Sequence, residues 1–73
     1  MSQLRDKAEV AFRAHQAELR RIAYRMTGSR QVAEDMVQAS FRRLLERPPS
    51  GLERALLPWL VRVVVNLSRD FLR

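Results

Sequence analysis

The sequence predicts an all-α domain of three helices, on three observations. Apolar residues recur at three- and four-residue spacing, two clusters of turn-forming residues interrupt that pattern, and the one valine-rich run has no second strand to pair with. The clusters are Thr27-Gly28-Ser29 and Arg47-Pro48-Pro49-Ser50-Gly51. They divide the chain into helices over about residues 3–26, 30–47 and 52–73, the last with a break near Pro58.

In the first segment Leu4, Ala8, Ala11, Phe12, His15, Leu19, Ile22, Ala23 and Met26 fall on one side of a helix, and Gly28 supplies the stop. In the second, Ser29 caps the N-terminus, with Glu34 and Asp35 near the positive end of the helix dipole. Ala33, Val37, Ser40 and Leu44 form its inward stripe. Arg42, Arg43 and Arg47 suit its negative end, and Pro48-Pro49 terminates it. The third segment has two candidate starts. Ser50 with Glu53 fits a capping box, whereas Pro58 is best tolerated in a first turn, so a short helical turn near Leu52 to Leu57 is expected before a main helix from Pro58. The run Val63-Val64-Val65 is read as helix because an isolated strand is not stable.

A chain of 73 residues is about one small domain, which buries only roughly 60% of the surface its unfolded form exposes. Its core must be thin. With 47% hydrophobic and 30% charged residues it is too apolar for a disordered tail, and no apolar run approaches the length of a membrane span. Cysteine is absent, which removes disulfides and thiolate metal sites and fits a reducing cytoplasm. Residues Met1 to Val10 lack the apolar stretch of a secretory signal. Fourteen basic against eight acidic residues give a net charge of +6, which points to a polyanionic partner. Lys7 is the only lysine. Arginine favours bidentate or stacked contacts, although GC-rich coding would give the same bias.

At about 100° per residue, Leu60, Val64, Leu67 and Phe71 share one sector of the third helix, and Arg62, Asn66, Arg69 and Arg73 lie opposite. Guanidinium groups fork phosphate oxygens, and an amide both donates to and accepts from a base edge, so this stripe suits a nucleic-acid strand. Any amphipathic helix also needs a solvated face, so periodicity alone leaves both readings open. The second helix carries a different stripe, Gln31, Asp35, Gln38 and Arg42, which hydrogen-bonds with little net charge and suits a protein partner. Met36, Phe41 and Leu45 flank it, either as an apolar border to that interface or as packing against the other helices.

Nothing in the chain resembles catalytic machinery. His15 lies on the apolar stripe of the first helix, and Glu34 and Asp35 point about 100° apart, too divergent for an acid/base pair. There is no Gly-rich phosphate loop, no metal-ligand cluster and no nucleophile beside a base, so no cofactor and no metal are expected. Trp59 and Tyr24 read as core and boundary aromatics.

The block Ile22-Ala23-Tyr24-Arg25-Met26-Thr27-Gly28-Ser29, continued by Ala33-Glu34-Asp35-Met36-Val37-Gln38-Ala39-Ser40-Phe41, resembles region 2 of extracytoplasmic-function sigma factors of the sigma-70 family. The run Pro58-Trp59-Leu60-Val61-Arg62-Val63-Val64-Val65-Asn66-Leu67-Ser68-Arg69-Asp70-Phe71-Leu72-Arg73 resembles the final helix of that region. The order of the Ala-Glu-Asp-x-Val-Gln block, the gap and Trp-Leu-x-Arg-x-x-x-Asn is what makes the combination specific. The resemblance implies a three-helix sigma domain whose second helix docks on the clamp helices of the largest RNA polymerase subunit, with Asp35 and Gln38 at clamp-facing positions. It implies that the third helix and the loop before it face the minus-ten promoter element and hold the non-template strand. Arg62 and Asn66 match DNA-facing positions, Arg54 belongs to the stretch of the base-capturing loop, and an anti-sigma factor is a further partner of such domains.

This sequence departs from the family pattern in three places. Ala39 stands where glutamate is common, Pro58 precedes Trp59 where another residue is usual, and Pro48-Pro49-Ser50-Gly51 has no aromatic residue for base capture. The family's second domain, a helix-turn-helix that reads the minus-thirty-five element, is not expected within these residues. The reading is therefore a non-enzymatic sigma factor domain that binds polymerase core and the opening minus-ten DNA in the cytoplasm. The alternative is a sigma-like interaction module that binds polymerase or an anti-sigma factor without recognising a promoter.

Overall fold

The computed structural model describes residues 3–48 and 52–73, with side chains over 5–48 and 56–73. In chain order the elements are α1 (Gln3–Thr27), α2 (Arg30–Glu46) and α3 (Leu52–Leu72), and each helix packs on both of the others. The architecture is all-α, as expected, with no strand among the described residues. Among the described residues no helix is long and apolar enough to cross a membrane.

The α1–α2 corner follows from three consecutive residues. Gly28 takes a positive φ of 73°, open to glycine without a Cβ penalty, and its N–H donates to the Tyr24 carbonyl at 2.8 Å. The Thr27 hydroxyl closes the last turn of α1 by donating to the Ala23 carbonyl at 2.8 Å. Ser29 then leaves helical dihedrals (φ −129°, ψ 125°), and its Oγ accepts from the Val32 N–H at 3.2 Å. That is the expected N-cap. At the other end α2 stops at Glu46, one residue before the expected boundary. Pro48 disfavours helical dihedrals at Arg47, which turns to φ −140°, ψ 70° while still donating its N–H to the Arg43 carbonyl at 2.9 Å. The expected capping box of Ser50 and Glu53 lies outside the described residues.

The core is one cluster fed by all three helices. Ala8, Phe12, Leu19 and Ala23 come from α1, Ala33, Val37 and Leu44 from α2, and Leu60 and Val64 from α3. The buried α2 row Ala33, Val37, Ser40 and Leu44 is the one read from the sequence. Phe12 and Phe41 stack with ring centroids 4.5 Å apart and tilted by 32°, which fixes α1 against α2. The Ser40 hydroxyl is satisfied by donating to the Val37 carbonyl at 2.6 Å. His15 is half-buried on the inward side of α1, and Trp59 packs against the core.

Helix α3 corrects the sequence reading twice. First, it is continuous, with Pro58 inside it and no break. A proline there removes one intrahelical hydrogen bond, but Pro58 lies on the exposed side, where its ring displaces no packing, and helix–helix contacts carry the element through. Second, the buried row is Leu60, Val64 and Ser68 with Val63 beside it, not Leu60, Val64, Leu67 and Phe71. Leu67 is half-buried and Phe71 is 50% exposed. Successive four-residue steps wind about 40° round a helix, and packing along such an i+4 ridge carries Ser68 inward and Phe71 out. Ser68 is fully buried, and its Oγ has no hydrogen-bond partner among the described residues.

Thermal melts test this phase. Leu60→Ala should cost about 2–5 kcal/mol, and Phe71→Ala under about 1 kcal/mol; indistinguishable melts would mean that the row is wrongly placed. Ser68→Ala removes a buried hydroxyl with no partner, so its melting temperature should equal or exceed the parent's.

Candidate functional site

The outer face of α3 is built by elimination. Burying Leu60, Val64 and Ser68 leaves Arg62, Asn66, Arg69 and Arg73 on the opposite flank, and all four are exposed. Among the described residues none of these side chains makes a hydrogen bond or an ion pair. Three unpaired guanidinium groups and one free amide are thus held in one row by a helix whose back is fixed in the core. Arg54 is the exception among the sequence-predicted DNA contacts. Its side chain lies outside the described residues, and its position on α3 is rotated by about 80° from Arg62.

The outer face of α2 carries Gln31, Asp35 and Arg42, all exposed, and Gln38, which is half-buried. Asp35 has no ion-pair partner among the described residues. The flanking Met36, Phe41 and Leu45 are half-buried and pack against the core. Ala39, where the resemblance places a glutamate, is half-buried.

Gln38 differs from its neighbours because it is already engaged. Its Nε2 donates to Glu34 Oε1 at 3.1 Å, and Glu34 Oε2 accepts from Arg20 Nε on α1 at 2.7 Å. Arg20 is braced in turn by Nη2 donating to Gln16 Oε1 at 2.9 Å. Four polar side chains therefore link α1 to α2 beside the candidate docking face. The hydrogen bond from the Gln38 amide holds the Glu34 carboxyl below its ordinary range; burial opposes it, and the charge and hydrogen bond of Arg20 add to the lowering. A lowered folded-state pKa means that this support is present at neutral pH and disappears as Glu34 protonates in acid. Both partners of the bridge are well exposed, so it is a weak contributor to stability.

Sequence reasoning missed this network. Spacing within α2 marks Glu34 as a charge near the helix N-terminus and as no acid/base partner of Asp35, and gives it no contact with α1. The four-residue spacings of Gln16 to Arg20 and of Glu34 to Gln38 were legible as same-face pairs, whereas the contact from Arg20 to Glu34 spans fourteen positions and has no periodic signature. Beside the network, Arg20, Arg21, Tyr24, Arg30, Ala33 and Glu34 line an open depression of about 410 Å³ between α1 and α2. Tyr24, read as a boundary aromatic, is 47% exposed at its rim. Among the described residues no group of three or more His, Cys, Asp or Glu side chains is placed to hold a metal ion.

Comparison with known proteins identifies the family. The chain is 44% identical over 70 residues to a probable ECF RNA polymerase sigma factor, SigI, in each of two strains of Mycobacterium tuberculosis. The match takes in 93% of this chain but only 23% of those relatives, so the chain spans about a quarter of their length. No solved structure matches it significantly. Sigma-70 region 2, a domain of non-catalytic transcription-initiation factors, matches residues 11–73, which takes in α2, α3 and most of α1. With that coverage and the agreement of its three-helix architecture, the chain belongs to the sigma-70 region 2 family, in the extracytoplasmic-function branch that its curated relatives represent.

Proposed function

We propose that this domain docks on RNA polymerase core through the outer face of α2 and holds the separating non-template strand of the minus-ten element through the outer face of α3. It performs no reaction of its own. The observation that carries this reading is the row Arg62, Asn66, Arg69 and Arg73, whose side chains are exposed and unpaired along a flank opposite fully buried residues. Charges that serve only solubility are commonly interleaved with opposite charges at four-residue spacing. Here three guanidinium groups and one amide form the row, with Asp70 the one acidic residue at its edge, which suits phosphates with one base edge between them. The α2 face carries one carboxylate, two amides and one guanidinium at Asp35, Gln31, Gln38 and Arg42, a nearly neutral hydrogen-bonding surface suited to the clamp helices of the largest polymerase subunit. Polymerase and promoter place the activity in the cytoplasm, and an anti-sigma factor would compete for these same two faces.

Docking is tested by charge reversal. Asp35→Arg should lower affinity for polymerase core by about tenfold or more, because an interfacial acceptor becomes a charge facing donors. Helicity should not change, since Asp35 is exposed and unpaired. Unaltered core binding by the folded variant would remove α2 from the interface.

Strand contact is tested in reconstituted holoenzyme over a salt series. Arg69→Ala should weaken all sequences alike and reduce the salt slope by about 0.7 units, the counterion release of one phosphate on a single strand. Asn66→Ala should leave the slope nearly unchanged. Its loss should appear on the matched minus-ten strand and not on a scrambled one, by about 1–3 kcal/mol. If neither variant alters strand binding, the α3 row is a solvated face and the domain is an interaction module without promoter recognition.

A further inference from the structure

We infer that Glu34 is a positioning residue for polymerase docking: it orients the Gln38 amide so that Gln38 and Asp35 together present hydrogen-bond acceptors on the α2 face, and the part of the partner surface that meets these two residues must therefore present donors. This rests on the α2 docking reading above and adds to it the polarity of the contact and a residue behind the face that sets it.

The argument is one of donors and acceptors. An ionised carboxylate has no proton to give, so both oxygens of Glu34 accept. An amide meeting such a group must turn its NH2 toward it, which is the observed contact from Gln38 Nε2 to Glu34 Oε1 at 3.1 Å. The Gln38 carbonyl oxygen is left without a partner among the described residues. Were Glu34 neutral, either end of the amide could face it, and the outward group would be undefined. The carboxylate is itself fixed from the other helix by Arg20 Nε at 2.7 Å, and Arg20 by Gln16 at 2.9 Å, so the orientation is anchored on α1 as well as α2. Three residues from Gln38 and on the same flank, Asp35 adds a free carboxylate. Two acceptors side by side fit arginine, lysine or exposed backbone N–H groups on the partner and repel carboxylates. A glutamine whose rotamers are already restricted also loses less freedom on binding.

The test combines affinity for polymerase core with the NMR signals of the Gln38 side-chain amide in the free chain. Glu34→Gln keeps the shape of the side chain but lets either end of the Gln38 amide pair with it. It should weaken core binding by about three- to tenfold, the range of one hydrogen bond. The Gln38 NH2 signals should move toward those of a solvated amide. Gln38→Ala should weaken binding similarly, and the double variant should bind no worse than Gln38→Ala alone, because Glu34 acts through Gln38. Because the Arg20–Glu34 bridge is exposed, all three variants should melt close to the parent, and affinities are compared below every transition. The inference is overturned if the Gln38 signals stay fixed in Glu34→Gln, or if the two losses add. Failure of the docking reading looks different: Gln38→Ala then binds as the parent does, while the Gln38 signals still respond to Glu34→Gln. That outcome overturns a role in docking and identifies the network as a brace between α1 and α2.

Discussion

Leu19, Val37, Leu44, Leu60 and Val64 are completely buried, and the arrangement of the whole molecule follows from keeping them so. A chain of 73 residues without cysteine has no crosslink to supplement a thin core, so each helix must give one complete flank to the other two. That demand leaves one complete flank of each helix in solvent. The flanks are chemically unlike. The α3 flank is mainly arginine and amide, with Asp70 at its edge, the α2 flank mixes a carboxylate and a guanidinium with amides, and the α1–α2 seam is tied by an ion pair. The surfaces assigned to DNA and to polymerase are therefore held at a fixed angle to each other by the same buried side chains.

How much of this was legible in the sequence differs from helix to helix. In α2 the inward row was readable because apolar and small residues at positions 33, 37, 40 and 44 stand against polar residues at 31, 35, 38 and 42. The corner was readable because Gly28 and Ser29 each have a backbone role that few other residues fill. In α3 the apolar content is too high for a unique phase. Val61, Val63, Val65, Leu67, Phe71 and Leu72 give several stripes of similar quality, and only the ridge along which the neighbours pack selects Leu60, Val64 and Ser68. Burying a serine in preference to a phenylalanine runs against transfer free energy, and periodicity weighted by hydrophobicity cannot anticipate it. Pro58 misled for a related reason: propensity argues for a boundary, but packing on two neighbours sustains the helix through it.

The candidate site shows the same division. Which residues lie outward on α2 and α3 is a property of each helix alone and was available from spacing. What each outward residue is free to do depends on neighbours across the seam. Asp35 and Gln38 appear equivalent in the sequence, yet Asp35 is unpaired while Gln38 is committed at one end to Glu34. Arg20, one of many arginines, is singled out only by its contact with Glu34. Net charge is similarly blind, because it counts Arg20 beside Arg62 although one is neutralised locally and the other is not.

The two proposed contacts also depend on each other energetically. The α3 row climbs by steps of four, three and four residues, so its four side chains cover roughly 16 Å of one flank. A strand laid along that row makes only a few phosphate contacts, and a flexible single strand loses much of its freedom on ordering, so the affinity of the row alone is modest. Docking of α2 on polymerase changes the problem from one between separate molecules to one within an assembly, where the strand already lies close to the row and effective concentration replaces bulk concentration. For that gain to be realised the angle between the two faces must not relax. The Phe12–Phe41 stack and the Arg20–Glu34 bridge both join α1 to α2, and the Leu60–Val64–Ser68 row seats α3 against that pair. A core that is thin but shared by all three helices is thus sufficient, because rigidity between the faces matters more to this function than a large reserve of stability.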